Sequence, residues 1–246
     1  MKNNQLVLND SKTELLHVSS PLRRVQELPP IHIGNALISS SQTVRDLGVV
    51  LDKHLSLRHQ VNMICRHASL ALHRIGKIRH LLDKHTTEIL VHSFVSSVLD
   101  NCNCLLINIP NKDVAKLQRI QNSAARLVSK LSKREHITPI LKELHWLPVT
   151  HRIKYKVILM TFKAIYGTCP DYTCDLITPY IPSRSLRSSS QNLLSTKNTR
   201  TKTFGARMFS CAAPLLWNAL PSKLRSQENI DLFKSQLKTY LFNNAY

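Results

Sequence analysis

Glycine is scarce in this chain, with 5 in 246 residues, and aromatic side chains make up 6%. So few turn formers argue against a β-sandwich or barrel, whose many short strands need frequent tight turns. Acidic residues are also few: 15 Asp and Glu face 34 Lys and Arg, for a formal charge of +19 and a pI of about 10.0. That excess favours polyanions as partners: RNA, DNA or an acidic membrane surface. No long hydrophobic run is present. The longest, residues 89–99, is interrupted by His92, Ser93, Ser96 and Ser97 and falls short of the roughly 20 residues that span a bilayer. Met1 is followed by Lys2, Asn3 and Asn4 rather than an apolar stretch, so the expectation is an intracellular protein, cytoplasmic and/or nuclear, neither secreted nor inserted in a membrane. A disulfide framework is then not expected from Cys65, Cys102, Cys104, Cys169, Cys174 and Cys211.

What is present reads as mainly α with a small N-terminal β part, an α+β class. A hydrophobic content of 43% suffices for one large core or two small ones. In residues 1–55, Leu6 to Leu8, Glu14 to Val18, Ile31 to Ile33, Ala36 to Ile38 and Val44 to Leu51 are strand candidates of a small sheet, with Gly34-Asn35 as a hairpin turn. From residue 56 the period becomes helical. Val61, Ile64, Cys65, Ala68, Leu72, Ile75, Ile78 and Leu82 step by three and four along a helix of roughly seven turns. Its other side carries His59, Arg66, His73 and His80 at heptad spacing, with Arg74, Lys77 and Arg79 nearby. No acidic residue occurs between Asp52 and Asp83, so the exposed face is purely basic.

Further helices are expected at 86–99 and 112–130, the second burying Val114, Leu117, Ile120, Ala124 and Leu127. Thr138-Pro139 starts a short helix, and Val149 to Tyr166 forms another that stops at Gly167. The Ser-, Arg- and Lys-rich residues 182–203 read as a loop. Phe204 to Leu220 reads as a helix docking Trp217, and Asn229 to Phe242 as an amphipathic last helix. The expected divisions are 1–55, 56–135 and 136–246.

Candidate chemistry is sparse. Cys102-x-Cys104 and Cys169-x4-Cys174 suggest zinc only loosely, because a structural site wants about four well-spaced ligands; free buried thiols are expected instead, and no metal site. Asp10 with Glu14, and Asp171 with Asp175, share a spacing but read as solvated surface charge. No nucleophile elbow and no Gly-rich phosphate loop occurs. The residues 176–227 contain no Asp or Glu and carry Arg184, Arg187, Lys197, Arg200, Lys202, Arg207, Lys223 and Arg225 among serines and threonines, a composition suited to phosphate contacts. Phe204 and Trp217 fit core packing better than base stacking. The expected behaviour is sequence-tolerant binding with strong salt dependence, with Arg66, Arg74, Lys77, Arg184, Arg187, Arg200, Lys202 and Arg207 as the contact candidates.

Several strings, in order, resemble LINE-type (non-LTR) retrotransposon reverse transcriptases of the jockey-like group. Asn4-Gln5-Leu6-Val7-Leu8-Asn9-Asp10-Ser11-Lys12-Thr13 resembles the family's palm segment just after the catalytic Ala-Asp-Asp turn, Asn-x-Leu-x-Leu-Asn-x-x-Lys-Thr. Leu47-Gly48-Val49-Val50-Leu51-Asp52 resembles the next segment, which there helps hold the primer end. Leu144-His145-Trp146-Leu147-Pro148-Val149 with Arg152-Ile153-Lys154-Tyr155-Lys156, Pro182 to Ser189, Arg200-Thr201-Lys202-Thr203-Phe204-Gly205, Ala212 to Pro221, and Phe233 to Lys238 are similar to the family's C-terminal strings.

The resemblance covers nearly the whole chain. It implies a palm remnant, a helical thumb resting on the template–primer duplex, and a helical C-terminal domain. Lys12 matches a palm lysine that assists departure of pyrophosphate. The paired aspartates that hold two metal ions have no counterpart here, and neither do the fingers, the other palm aspartate and the endonuclease. The resemblance therefore implies a truncated fragment of an RNA-directed DNA polymerase. It would keep surfaces for RNA and DNA, with no catalytic residue beyond the family-equivalent Lys12. Mg2+ would belong to the full-length parent and the missing N-terminal half. Two alternatives stand beside it: a nucleic-acid-binding relic without chemistry, or a chain with no selected function. The first 50 residues also resemble a segment that names an AlkB-homologue N-terminal domain. The iron-binding His-x-Asp of that dioxygenase activity does not occur here.

Overall fold

The computed structural model describes residues 9, 12–20, 28–34, 36–132, 134–182, 192–201 and 204–246. They divide into two compact units, Met1–Asn62 and Met63–Tyr246. Among the described residues the chain is mainly helical with a few short strands.

Among its described residues the first unit holds three two-stranded pairings rather than one continuous sheet. Strand β1 (Leu15–Leu16) runs parallel to β4 (Ser40–Ser41). Strands β2 (Ile31–Ile33) and β3 (Ala36–Ile38) form the expected antiparallel hairpin, with Ile33 opposite Ala36 and Gly34 left-handed. The expected partner of the 14–18 strand, Leu6 to Leu8, lies outside the described residues. The single strand expected over 44–51 is instead a hairpin of β5 (Thr43–Asp46) and β6 (Val49–Asp52). Leu47 and Gly48 take φ of 45° and 87°. Two left-handed residues between antiparallel strands make the type I′ turn whose twist matches the strands. Leu47 is an unfavourable residue there, and it is 94% exposed.

Helix α1 (Arg58–Ile78) starts just after β6, and Asp52 prepares its first turn. The Asp52 carboxylate accepts from the amides of Leu57 at 2.9 Å, Ser56 at 3.1 Å and His54 at 3.3 Å. Burial works against this charge, yet those donors together outweigh it and hold the Asp52 pKa below its ordinary value. Gln60 accepts from the Val50 amide at 2.9 Å, which ties the helix start to β6. Of the expected apolar stripe, Val61, Ile64, Ala68 and Ile75 are buried, Cys65 and Leu72 are half-buried, and Ile78 is exposed as the helix runs out into a 3-10 turn over Arg79–Leu81.

In the second unit, the segment expected as one helix over 86–99 is α2 (Lys84–Val91), a π turn (His92–Ser96) and α3 (Ser97–Asp100) in succession. The Asp83 side chain caps α2 by accepting from Thr86 N. Helix α4 (Asn111–Ser129) matches its expected range, but its buried face is rotated. Leu117 and Ala124 are inside as expected; Val114, Ile120 and Leu127 are half-buried, and Asp113, Gln121, Ala125 and Val128 are buried instead. The polar pair earns its place through specific partners. Gln121 donates to the Leu147 carbonyl at 2.8 Å and Asp113 pairs with Lys116 at 2.9 Å.

Helix α5 (Thr138–Glu143) has proline in its first turn, and His145 beyond it is left-handed, so that Trp146 N closes on Leu141 O at 2.9 Å. Helix α6 (Val149–Ile165) ends as its glycine predicts: Gly167 has φ 62° and Thr168 N reaches back to Lys163 O at 2.9 Å. A short α7 (Asp171–Cys174) follows. The helix expected over 204–220 divides into a 3-10 turn (Gly205–Arg207), extended Met208, and α8 (Phe209–Asn218). Then come α9 (Ser222–Arg225) and α10 (Ile230–Ala245). The core lies where α6, α8 and α10 meet. Phe162 stacks on Phe233 with ring centres 4.3 Å apart, and Trp217 sits 5.8 Å from Phe233, fully buried, its indole N–H donating to Asn192 O at 2.8 Å. Such a cluster contributes both area and ring geometry.

Candidate nucleic-acid interface

The outward side of α1 is where the sequence placed its basic face. Arg66, His67, His73, Arg74, Lys77 and His80 are all exposed. At 100° per residue, Arg66, His73 and Lys77 fall on one line down the helix, with Arg74 beside it, and His80 follows in the 3-10 turn after the helix. Arg66 and Lys77 are thus about 16 Å apart along the axis. Leu70 is exposed within the same strip.

Helix α4 extends the positive surface. Burial pushes the Cys65 thiol up, and the charges of Lys116 and Arg119 on α4 work against that rise. Arg119 is exposed too, and its charge acts on Cys65, the residue before Arg66 in the sequence. It was not singled out in the sequence, although its i, i+3 spacing from Lys116 was the available signal.

Arg79 leaves the group. It is 8% exposed, and its guanidinium donates to the carbonyls of Leu127 at 2.8 Å, Val128 at 2.8 Å and Leu82 at 2.6 Å. Two of these carbonyls belong to the last turn of α4, whose orphan acceptors and negative dipole end attract a cation. Arg225 is likewise buried, donating to the carbonyls of Asn218 and Leu220 at the end of α8.

Of the C-terminal candidates, Arg200 is exposed. Arg207 is half-buried and donates to Leu105 O at 3.4 Å, beside an Asn108 side chain that donates to Ala206 O at 2.8 Å. The candidates Arg184, Arg187 and Lys202 lie outside the described residues. Lys12 is exposed and its amide donates to Asn9 O at 3.1 Å, while the rest of the string from Asn4 to Ser11 is not described apart from Asn9.

The cysteines differ from the buried thiols expected. Only Cys211 is buried; Cys102 is exposed, and Cys65, Cys104, Cys169 and Cys174 are half-buried. Cys102 sits left-handed at the outer end of a 3-10 turn, which turns its side chain outward. Cys169 and Cys174 approach to 3.5 Å as free thiols. Among the described residues no group of three or more His, Cys, Asp or Glu side chains is gathered as metal ligands, and no helix is long and apolar enough to cross a membrane. Asp171 and Asp175 are both exposed on α7 and its end. Comparisons with models of known protein families, with curated proteins and with solved structures returned no match.

Proposed function

We propose that this chain binds nucleic acid through the exposed basic face of α1, as the thumb and C-terminal portion of a non-LTR retrotransposon reverse transcriptase that does no polymerase chemistry by itself. The observation that carries the binding is the α1 surface: three exposed cations and three exposed histidines over residues 66–80, with no carboxylate between Asp52 and Asp83 to neutralise them. A strip of that length faces several phosphates of a duplex, where each strand carries one charge per about 3.4 Å of helix axis. Point charges on a helix surface position a backbone and read no base edges, so the binding is indifferent to sequence. In this reading residues 1–55 are the palm remnant, and the metal-binding carboxylates and Mg2+ belong to the parent's other half.

The test is Arg66→Gln, Arg74→Gln and Lys77→Gln together, in a titration of labelled single-stranded RNA at several salt concentrations. All three side chains are exposed, so each substitution should change stability by no more than about 0.5 kcal/mol. Each lost phosphate contact lowers the slope of log K against log salt by about 0.7, giving a fall of about 2 for the triple variant. Unchanged affinity and slope would remove α1 as the contact surface. Arg200→Gln measures what the C-terminal segment adds. Parentage is tested separately by reading the frame upstream of the Met1 codon. A frame continuing into fingers and an Asp-Asp turn supports it, and one continuing into unrelated coding sequence sinks it.

A further inference from the structure

A cavity of about 420 Å3 opens in the second unit, lined among others by Asp100, Trp146, Arg152, Tyr155, Lys156 and Lys238. This size falls within the range of small-molecule pockets. Arg152 is held in place by Asp100: its Nε donates to Oδ1 at 2.8 Å, and its Nη2 donates to Oδ2. The fork that binds the carboxylate is fully used, and the two hydrogens of Nη1 are left for another acceptor. Lys156 follows one turn later on the same side of α6. Lys238 comes from α10. Neither lysine has a carboxylate partner among the described residues. With His92 and His145, which also line it, counted neutral, one carboxylate and three cations surround one concavity, with a formal charge of +2. Cations gathered round one concavity repel one another, and a dianion relieves that repulsion.

We propose that this cavity binds a phosphomonoester on a nucleoside: the terminal phosphate of a nucleic-acid strand or a free nucleoside monophosphate. A phosphomonoester carries a charge close to −2 near neutral pH, whereas an internal phosphodiester carries −1. The monoester is the one that balances the pocket. Arg152 Nη1, Lys156 and Lys238 supply the donors for its three terminal oxygens. The lining also includes the apolar side chains of Leu144 and Leu147 and the rings of Trp146 and Tyr155, which suit an organic body. Burial pushes the Tyr155 phenol up, partly offset by Lys234, so it remains a neutral donor. The choice of a nucleoside as the body rests on the nucleic-acid reading above; the preference for a monoester rests on the charge of the cavity alone.

The experiment compares two single-stranded RNA oligomers of one sequence, with and without a 5′-phosphate, and adenosine monophosphate and inorganic phosphate as competitors. Wild-type protein is set against Lys156→Gln/Lys238→Gln, both exposed positions whose folding is checked by circular dichroism. The phosphorylated strand is expected to bind about tenfold more tightly, roughly one well-made charged contact, and the double variant to lose that difference. Adenosine monophosphate titrated alone, binding the wild type but not the double variant in the absence of any strand preference, assigns the free nucleotide as the ligand and still supports the site. Equal binding of both strands, with no direct binding of adenosine monophosphate or inorganic phosphate that the double variant abolishes, overturns the site. It does so even where salt-dependent binding through α1 persists, so the two failures are distinguishable.

Discussion

Replacing Arg79 separates two meanings of a basic residue. By sequence it belongs with Arg74 and Lys77 on a solvated face; in the structure it is buried and donates to three carbonyls, two of them from the end of α4. Arg79→Met keeps the apolar stem and removes every donor. A hydrogen bond from a charged donor contributes about 1.5–3 kcal/mol, and carbonyls left buried without a partner cost a further 1–3 kcal/mol where water cannot replace the guanidinium. Methionine gives up about as much rotamer freedom on burial as arginine does, so side-chain entropy offsets little of this. The net loss is about 3–6 kcal/mol. Arg79→Lys keeps the charge at the helix end but not the planar fork, and about half the loss is expected. Both tryptophans, Trp146 and Trp217, lie in the second unit, so their fluorescence during urea unfolding reports that unit. The midpoint should fall in the order wild type, lysine, methionine, with the slope m unchanged. A loss below about 1 kcal/mol for Arg79→Met, combined with weaker RNA binding, would refute this reasoning and return Arg79 to the binding face.

Other substitutions test neighbouring parts of the account. Gly76→Ala should stabilise by about 0.5–1 kcal/mol, because α1 gains a better helix former and the new Cβ meets only Leu127 Cδ1 at 3.9 Å; a lower melting temperature would contradict the packing of α1 on α4. Gly205→Ala should do the opposite, since its Cβ would stand 2.5 Å from Thr199 Cβ. Lys130 is left-handed just past α4, with φ 53°, so Lys130→Gly should add up to about 1 kcal/mol, read by urea unfolding. Asp52 has a lowered pKa, so the stability it adds is present above the ordinary value of 3.8 and is lost as pH falls through the folded value. The protection of the Ser56 and Leu57 amides, read as observed exchange against the intrinsic rate at each pH, should fall in that acid window, and Asp52→Asn should remove the dependence.

The long helices were legible because their apolar residues recur at helical spacing: α4, α6 and α10 begin and end within a few residues of where the pattern places them. Gly167 was legible as a stop because glycine is the residue that a left-handed cap requires. Leu47, Lys130 and His145 take left-handed conformations without such a signal, and the one glycine of the β5–β6 turn, Gly48, lies inside an apolar run that reads as continuous strand. Polar residues that face inward were hidden for another reason. Arg79, Gln121 and Arg225 are satisfied by carbonyls far along the chain or on another element, and periodicity weighs only hydrophobicity. The α1 face was readable because no acid interrupts it. The cavity was not, since Asp100 and Arg152 are 52 residues apart and meet only through packing.

The central claim is that the positive surface binds nucleic acid, and the most direct measurement is the affinity of the intact chain for unstructured single-stranded RNA as a function of salt. The account predicts a straight line of log K against log salt with a slope of about −2 or steeper, reflecting at least three phosphate contacts at about 0.7 each. It also predicts the same slope for unrelated sequences. A slope near zero, or no binding at low salt, would contradict it.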